Sequence, residues 1–284
     1  MPDSHNKHFL DSSVVRPLLL GSAPYRQYFK KYFNEDRLYT SNFVQMEFLR
    51  SFILPILNFY FVLDMPNVRT ISDALSIWSN RFKTSEQKAV IQLLGLLFKT
   101  RLYDSSSYRD KNKALRAISQ IVIRYYAKLK RGFHNIGERG TRCERAKIFI
   151  KRKRGVSDKI IFQGFLDKFL DLKECRYKCG IERFLCGRYK SEVEKYIEYA
   201  SNLANPLRRE NKGFIEISKK LNRILQKEII NSCKLCEAIG DAVIALETPE
   251  NMILEHTDHS FNLLCELIEK PHYQHPSEIS VVKN

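Results

Sequence analysis

Four acidic residues stand where an α/β chain would bring carboxylates together. Asp11 and Asp258 each follow a short apolar run that is predicted to be a strand. Glu47 lies on the predicted helix after a further strand, and Asp241 follows a glycine at the head of an apolar helix. Carboxyl ends of parallel strands meet at one edge of a sheet, where ligands bind. Converging carboxylates repel one another unless a cation neutralises them, and oxygen ligands suit Mg²⁺ or Mn²⁺.

The elements that must position these acids are three short strands among many helices. Strands are predicted over residues 8–10, 37–40 and 252–254, while 146–150 is predicted as a strand or hairpin arm and 132–140 as a loop. The polar tail from residue 270 onward is expected to be loosely held. The predicted helices are 13–20, 25–33, 42–63, 72–82, 85–99, 111–130, 157–172, 181–199 and 214–239.

These segments resemble the PIN-domain family of metal-dependent nucleases over roughly residues 7–63 and 210–268. The shared features are acids with neighbouring hydroxyl residues at strand ends, and an apolar helix headed by an acid. They stand at Asp11-Ser12, Ser41 to Glu47, Gly240 to Ala245, and Thr257-Asp258-x-x-Phe261. The resemblance implies an α/β fold with a PIN-like short parallel sheet flanked by helices, and a large, mainly helical insertion.

The resemblance also implies which residues do the chemistry. Asp11, Glu47, Asp241 and Asp258 would be the catalytic residues and would hold Mg²⁺ or Mn²⁺. Three hydroxyl residues would orient carboxylates or bound water around the metal, namely Ser12, Ser41 and Thr257. The implied reaction is phosphodiester hydrolysis by metal-activated water, leaving 5′-phosphate and 3′-hydroxyl ends.

The sequence departs from the family pattern in two places. Glu47 and Asp241 are 194 positions apart, whereas compact members have the second and third acids close together. Ser260 stands where many members carry another acid, so one metal or two remains open. With 284 residues the chain is long enough for about two domains. We therefore expect a discontinuous nuclease domain from residues 1–64 and 210–284, with residues 65–209 as a basic, mainly helical insertion between the second and third acidic motifs.

Basic residues concentrate in the middle of the chain. The net charge of +16 divides into +1 for residues 1–64, +21 for 65–230 and −6 for 231–284. Such a concentration attracts a polyanion, of which nucleic acid is the commonest. A solvated basic face and an anionic membrane surface are the alternatives. The predicted nucleic-acid-binding residues are Arg124, Lys128, Lys130, Arg131, Arg142, Arg145, Lys147, Lys151, Arg152, Lys153 and Arg154.

Two function classes remain open at this point. The first is a metal-dependent nuclease, with an endoribonuclease of the toxin or defence-effector kind favoured over a DNA-cleaving enzyme. The second is a non-catalytic nucleic-acid-binding module with a degenerate PIN-like pocket. The resemblance also makes a homodimer an option, because family members commonly pair through helices. An inhibitory or activating protein partner stays open.

No export signal is visible near the first residue, and residues 52–63 are too short an apolar run to span a membrane and are expected to be a buried core helix. We therefore expect a cytoplasmic protein that does not bind a membrane. Seven cysteines favour free thiols over disulfides, with a zinc site as the alternative. The close cysteines are Cys175, Cys179 and Cys186, and the pair Cys233 and Cys236.

Overall fold

The computed structural model describes residues 7–21, 23–34, 36–81, 84–99, 111–137, 140–141, 143–171, 180–203, 209–226, 236 and 238–276. The strands are β1 (Lys7–Leu10), β2 (Arg37–Thr40), β3 (His134–Asn135), β4 (Ile253–His256) and β5 (His272–Gln274). The helices are α1 (Ser12–Leu20), α2 (Ala23–Phe33), α3 (Asn42–Phe48), α4 (Leu54–Asp64), α5 (Ile71–Arg81), α6 (Thr84–Lys99), α7 (Lys111–Arg131), α8 (Asp158–Leu170), α9 (Ile181–Arg183), α10 (Lys190–Ser201), α11 (Arg209–Leu225), α12 (Gly240–Glu247) and α13 (Ser260–Glu266).

The described residues divide into two compact units. Unit 1 holds those up to Met46, those from Phe133 to Lys147 and those from Asp171 onward, while unit 2 holds Glu47–Gly132 and Ile148–Leu170. These boundaries differ from the predicted ones at residues 64/65 and 209/210. Two stretches of the expected insertion, 133–147 and 171–209, belong to unit 1, because β3 pairs within the sheet and α10 packs with the C-terminal helices.

Unit 1 is built on a five-stranded, all-parallel sheet in the order β3-β2-β1-β4-β5. The predicted α/β class is thereby confirmed. Strand β1 lies in the centre, with Phe9 opposite Tyr39 on one side and Leu254 on the other. Phe9 and Leu254 are fully buried, as is usual for parallel strands covered by helices on both faces. The parallel pairing brings the carboxyl ends of β1 and β4 to the same edge.

The helices at the C-terminal side of unit 1 pack through amphipathic faces. In α11 the buried residues Phe214, Ile217, Leu221 and Ile224 recur at helical spacing. Helix α10 lies against α11, and the Tyr196 hydroxyl donates to the Leu264 carbonyl of α13 at 2.9 Å. The predicted helix over 214–239 is confirmed as far as Leu225 by α11, and its residues 227–235 and 237 lie outside the described residues.

Helix α12 carries a run of five buried apolar residues. The residues from Ala242 to Leu246 are fully buried. Its last carbonyls, which lack partners within the helix, are satisfied by Lys270, whose Nζ donates to Ala245 at 2.9 Å and to Thr248 at 2.6 Å. Burial lowers the Lys270 pKa to about 8. Asp241 therefore lies on a helix that is fixed by its buried apolar residues and, at its C-terminal end, by the hydrogen bonds of Lys270.

Unit 2 is helical among its described residues, with α4 in its interior. Helix α4 packs against α5, α6, α7 and α8. Edge-to-face aromatic contacts join these helices: the ring of Phe59 lies 5.7 Å from Trp78, and that of Tyr60 lies 5.3 Å from Phe162. The predicted apolar stripe of α7 is confirmed, since its residues are buried: Leu115, Ile118, Ile121, Val122 and Tyr125.

The predicted bend near Pro55 takes the form of a π-helical stretch. Residues Leu49–Ile53 are π-helical, and the Leu54 N–H donates to the Leu49 carbonyl. Proline has no N–H to give to the helix and its ring crowds the preceding turn, so a wider turn just before Pro55 accommodates it. The helical stretch Asn42–Asp64 is long and apolar enough to cross a membrane by length and composition alone, but 72% of its most apolar window is buried in the protein.

Three sequence predictions about local structure are wrong. Residues 144–147 form a 3₁₀ turn and 148–150 form no strand, because the segment is held by side-chain contacts rather than by a ladder. Strand β3 lies within the predicted loop over 132–140. The tail from residue 270, predicted to be loosely held, contains β5, and its His275 is only 1% exposed. Residues 277–284 of that tail lie outside the described residues. Both missed strands are short and polar, so they lack the apolar pattern that predicts a strand.

The prediction that the cysteines are not in disulfides can be checked for four of the seven. Among the described residues, Cys143, Cys186, Cys236 and Cys265 form no disulfide, while Cys175, Cys179 and Cys233 lie outside the described residues.

Candidate carboxylate site

Asp11 stands at the junction between β1 and α1. It extends the strand pairing, since its N–H donates to the Glu255 carbonyl of β4 at 3.0 Å. It is also the N-cap of α1, where its Oδ2 accepts the Ser13 N–H at 2.9 Å, a geometry that short acidic side chains favour. The residue is 2% exposed. Sheet and helix together therefore fix this buried carboxylate in one orientation.

Asp241 and Asp258 belong to neighbouring segments of unit 1. Asp241 is the second residue of α12 and is partly buried, and its Oδ2 accepts the Ser260 hydroxyl at 2.8 Å. Asp258 lies between β4 and α13, and its carbonyl accepts the Phe261 N–H at 3.3 Å. The serine that replaces an expected acid therefore orients Asp241.

All three aspartates have a raised pKa. The Asp11 pKa is raised to about 6 mainly by burial, which the Ser13 hydrogen bonds partly offset, and the charges of Asp241 and Asp258 raise it further. Burial also raises the pKa of Asp241, with the Asp258 charge adding to it, and burial raises the pKa of Asp258. Buried carboxylates that repel one another are poised to take up protons or a cation.

The structure brings together three of the four predicted acids. Glu47 belongs to unit 2, on the last turn of α3, and is 9% exposed. Its role in the site therefore stays a prediction from the sequence.

The hydroxyl residues have other partners than the sequence suggests. Ser12 begins α1, but its neighbour Ser13 holds Asp11, and the Ser13 hydroxyl also accepts the Thr257 N–H at 3.0 Å. Ser41 caps α3 by accepting the Val44 N–H at 3.1 Å, and its hydroxyl donates a hydrogen bond to Glu247. A carboxylate at an N-cap position commonly accepts the N–H of the residue two positions further on. This rule could have identified Ser13, rather than Ser12, as the partner of Asp11 from the sequence.

Glu247 is a buried acid that sequence reasoning missed. It ends α12 and is 1% exposed, and it accepts hydrogen bonds from the Ser41 hydroxyl and from Thr141, whose N–H lies 2.9 Å away. Burial raises its pKa to about 7, although those hydrogen bonds oppose the shift. Gly140 provides the space for this carboxylate, because a Cβ at that position would lie 3.2 Å from Glu247 Oε2. Glu247 therefore fastens residues 140–141 to α12 and to the start of α3.

Replacing Glu247 is expected to cost stability. In Glu247→Ala the buried Thr141 N–H loses its acceptor, so the free energy of unfolding should fall by about 2 kcal/mol. Urea unfolding measures the loss. Glu250→Ala, an exposed glutamate three positions on, is the matched control and should change little. Equal effects in both variants would contradict the role of Glu247 as a tie.

A second buried ionisable cluster lies on another part of the sheet. Glu255 of β4 is fully buried, with Oε1 2.6 Å from His8 Nδ1 and Oε2 2.7 Å from His275 Nε2. His8 Nε2 is 3.1 Å from Asp36, and the Tyr28 hydroxyl is 3.1 Å from His275 Nδ1. No local pattern could reveal this cluster, because its members are 247 and 20 positions apart from Glu255.

The predicted nucleic-acid-binding residues fall in both units. In unit 2, the exposed ones lie on α7 and in the segment 151–154 that precedes α8, and Arg152 pairs with Asp158 at 3.2 Å. In unit 1, Lys147 is exposed and pairs with Glu144 at 2.7 Å, whereas Arg145 is only 8% exposed. Arg142 lies outside the described residues. The exposed cations of unit 2 are Arg124, Lys128, Arg131, Lys151, Arg152, Lys153 and Arg154, with Lys130 half-buried.

Within the described ranges, no three His, Cys, Asp or Glu side chains are placed to hold one metal ion. The donor set nevertheless has the chemistry of a hard-cation site, since it offers carboxylate oxygens whose mutual repulsion a divalent ion would relieve. No protein-family model matches the sequence, and neither a curated protein nor a solved structure is significantly similar to it.

Proposed function

We propose that this chain is a metal-dependent nuclease of the PIN type that hydrolyses phosphodiester bonds, with RNA favoured over DNA as substrate. The carrying observation is the group of three aspartates near the carboxyl edge of the sheet, where the charges of Asp241 and Asp258 raise the pKa of the buried Asp11. The parallel five-stranded sheet is compatible with this family, and the basic residues supply the means to hold a phosphate backbone.

Asp11, Asp241 and Asp258 would hold Mg²⁺ or Mn²⁺, with Glu47 as the fourth acid predicted by the sequence. The metal supplies activation of water and stabilisation of the leaving oxygen. The chain itself fixes the carboxylates beforehand: the Ser13 N–H orients Asp11, and the Ser260 hydroxyl orients Asp241. Such preorganised acids need no protein nucleophile, so products should carry 5′-phosphate and 3′-hydroxyl ends.

Metal dependence tests the proposal. Labelled single-stranded RNA, structured RNA and duplex DNA are incubated with the protein in Mn²⁺, Mg²⁺ or EDTA. We expect cleavage in metal, none in EDTA, and recovery when Mn²⁺ is added back in excess. Absence of cleavage of all three substrates in both metals would contradict a nuclease that acts alone.

A non-catalytic nucleic-acid-binding module is the second candidate. It is favoured by Ser260, which stands where the family pattern has another acid, and by the spacing of the side chains, which places no three described donors on one ion. Thermal unfolding separates the two candidates. Mn²⁺ at 100 times its Kd should stabilise a metal-binding protein by about 2.7 kcal/mol, whereas a degenerate pocket should show no shift.

A further inference from the structure

Phe149 is an aromatic side chain held out into solvent in the middle of the basic region. It lies in unit 2 and is 58% exposed, although the next residue, Ile150, is only 6% exposed. The segment is attached to α7, because the Tyr126 hydroxyl donates to the Ile148 carbonyl at 2.7 Å. The backbone on both sides of Phe149 is therefore fixed, while its ring remains accessible.

Two lysines flank this ring. Lys130 Nζ of α7 lies 5.4 Å from the ring centroid, and Lys151 Nζ lies 5.3 Å from it. Both distances are within the range of cation–π attraction, which holds the ammonium groups near the ring. The exposed cations Arg152, Lys153 and Arg154 follow directly in the chain. An exposed aromatic ring is thus surrounded by positive charge.

We propose that Phe149 is a stacking platform for an unpaired base of single-stranded nucleic acid, with Lys130 and residues 151–154 binding the adjacent phosphates. Base stacking on aromatic side chains within a basic groove is how proteins hold single strands without reading sequence. A duplex hides the faces of its bases, so it could use the cations but not the ring. The inference rests on the proposed function only in taking nucleic acid as the ligand, and it names the single strand as the form bound.

The positive charge around Phe149 favours a single-stranded nucleic acid over a protein as the ligand. An apolar protein partner would have to desolvate the two ammonium groups beside the ring, at a cost that no described contact offsets. A single-stranded polyanion instead supplies both an apolar ring face and phosphates at a spacing of one nucleotide. The ring and the cations are then used by the same ligand.

The test is equilibrium binding in EDTA, where no cleavage can occur. The probes are a single-stranded RNA, a single-stranded DNA of the same sequence, each with one 2-aminopurine, and a duplex of equal length. Phe149→Ala should weaken binding of both single strands by roughly tenfold and leave duplex binding unchanged. Quenching of 2-aminopurine, which reports stacking, should be lost in the variant. Phe149→Trp should bind single strands at least as well as the unaltered chain.

Two controls make the result interpretable. Phe98→Ala removes a phenylalanine of similar exposure, 55%, from α6 of the same unit and should not change binding. Phe149→Leu keeps apolar bulk without a π-face and should behave like Phe149→Ala. Because Phe149 is exposed, these variants should keep the melting temperature of the unaltered chain. Thermal unfolding checks this before binding is measured.

Unchanged single-strand binding by Phe149→Ala, or an equal loss for single strand and duplex, would overturn the stacking proposal. Full binding by Phe149→Leu would also overturn it. These outcomes are independent of the nuclease, because cleavage in Mn²⁺ is scored separately on the same proteins. If the protein binds single strands with base stacking but cleaves none of them, the proposed nuclease activity is contradicted and the stacking proposal still stands.

Discussion

Asp11→Asn is expected to abolish cleavage and at the same time stabilise the metal-free protein. If Asp11 holds the metal as proposed, removing its carboxylate should withdraw about 4 kcal/mol of transition-state stabilisation, which is a loss of roughly 10³-fold in rate. The gain in stability has a separate cause. The native Asp11 pKa is about 6 against an ordinary value of 3.8, so ionised Asp11 destabilises the folded state by about 3 kcal/mol at pH 8.

The sign of this effect fixes its pH dependence. Because the folded protein binds the proton more tightly than the unfolded chain, stability contributed by protonated Asp11 is lost as pH rises from about 4 through 6. Asparagine does not titrate, and it keeps an acceptor for the Ser13 N–H. The variant should therefore exceed the unaltered chain in stability by more at pH 8 than at pH 5. Urea unfolding in EDTA at both pH values measures the difference.

A second capping aspartate provides the matched control. Asp73 accepts the N–H groups of Arg69 and Thr70 ahead of α5, and these hydrogen bonds lower its pKa. Asp73→Asn should therefore lose stability rather than gain it, and it should cleave normally. If Asp11→Asn instead loses stability and keeps its Mn²⁺-induced rise in melting temperature, Asp11 is a structural cap and the site assignment is wrong.

The central strands of the fold could be predicted from the sequence, and so could the placement of Asp11, Asp241 and Asp258 near one another. Strand β1 buries Phe9 and Leu10, β4 buries Leu254, and α12 is apolar over most of its length, so these three elements have clear hydropathy patterns. Strand β2 has a weaker pattern, because its apolar residues Leu38 and Tyr39 are only half-buried. The positions of Asp11 and Asp258 then follow from chain order, because residues just after neighbouring parallel strands meet at one edge. Asp241 stands instead at the head of α12. Glu47 follows the same logic in sequence, but it falls in the other compact unit.

Other features depend on tertiary pairing that no local pattern carries. Strand β3 has two residues and β5 is polar, so each is a strand only because β2 and β4 offer free edges beside them. The contacts of Glu247 with Ser41 and Thr141 join residues 206 and 106 positions apart. The burial of Glu255 follows from its register opposite Leu10 in the centre of the sheet. Ionisable residues at these positions are indistinguishable from surface residues in the sequence.

His8→Ala is expected to produce a large loss of stability. The buried carboxylate of Glu255 keeps His275 but loses the imidazole 2.6 Å away, and a cavity forms beside the rings of Tyr32 and Phe33. Breaking one side of a buried ion pair typically costs 3–5 kcal/mol, and we expect a loss of about 3 kcal/mol because one partner remains. His134→Ala, on an exposed strand residue, is the matched control and should change stability little.

The loss should depend on pH in a direction that the two pKa shifts determine. Burial lowers the His8 pKa, but contacts with Glu255 and Asp36 outweigh it and raise the pKa above 6.5. Burial raises the Glu255 pKa, but His275 and His8 outweigh it and lower the pKa below 4.5. The His8 contribution is complete below pH 6.5 and is lost as pH rises through the folded pKa, while the Glu255 contribution is lost as pH falls through its own.

The ion pair therefore stabilises most between about pH 4.5 and 6.5, and His8→Ala should differ from the unaltered chain more at pH 5.5 than at pH 9. Urea midpoints at the two pH values measure this, and an equal loss at both would mean that packing rather than charge holds the cluster. The effect should also reach the aspartate site, because the Glu255 carbonyl accepts the Asp11 N–H at 3.0 Å. A sheet disturbed at Glu255 cannot hold Asp11 as firmly, so Mn²⁺ should raise the melting temperature of His8→Ala by less than that of His134→Ala.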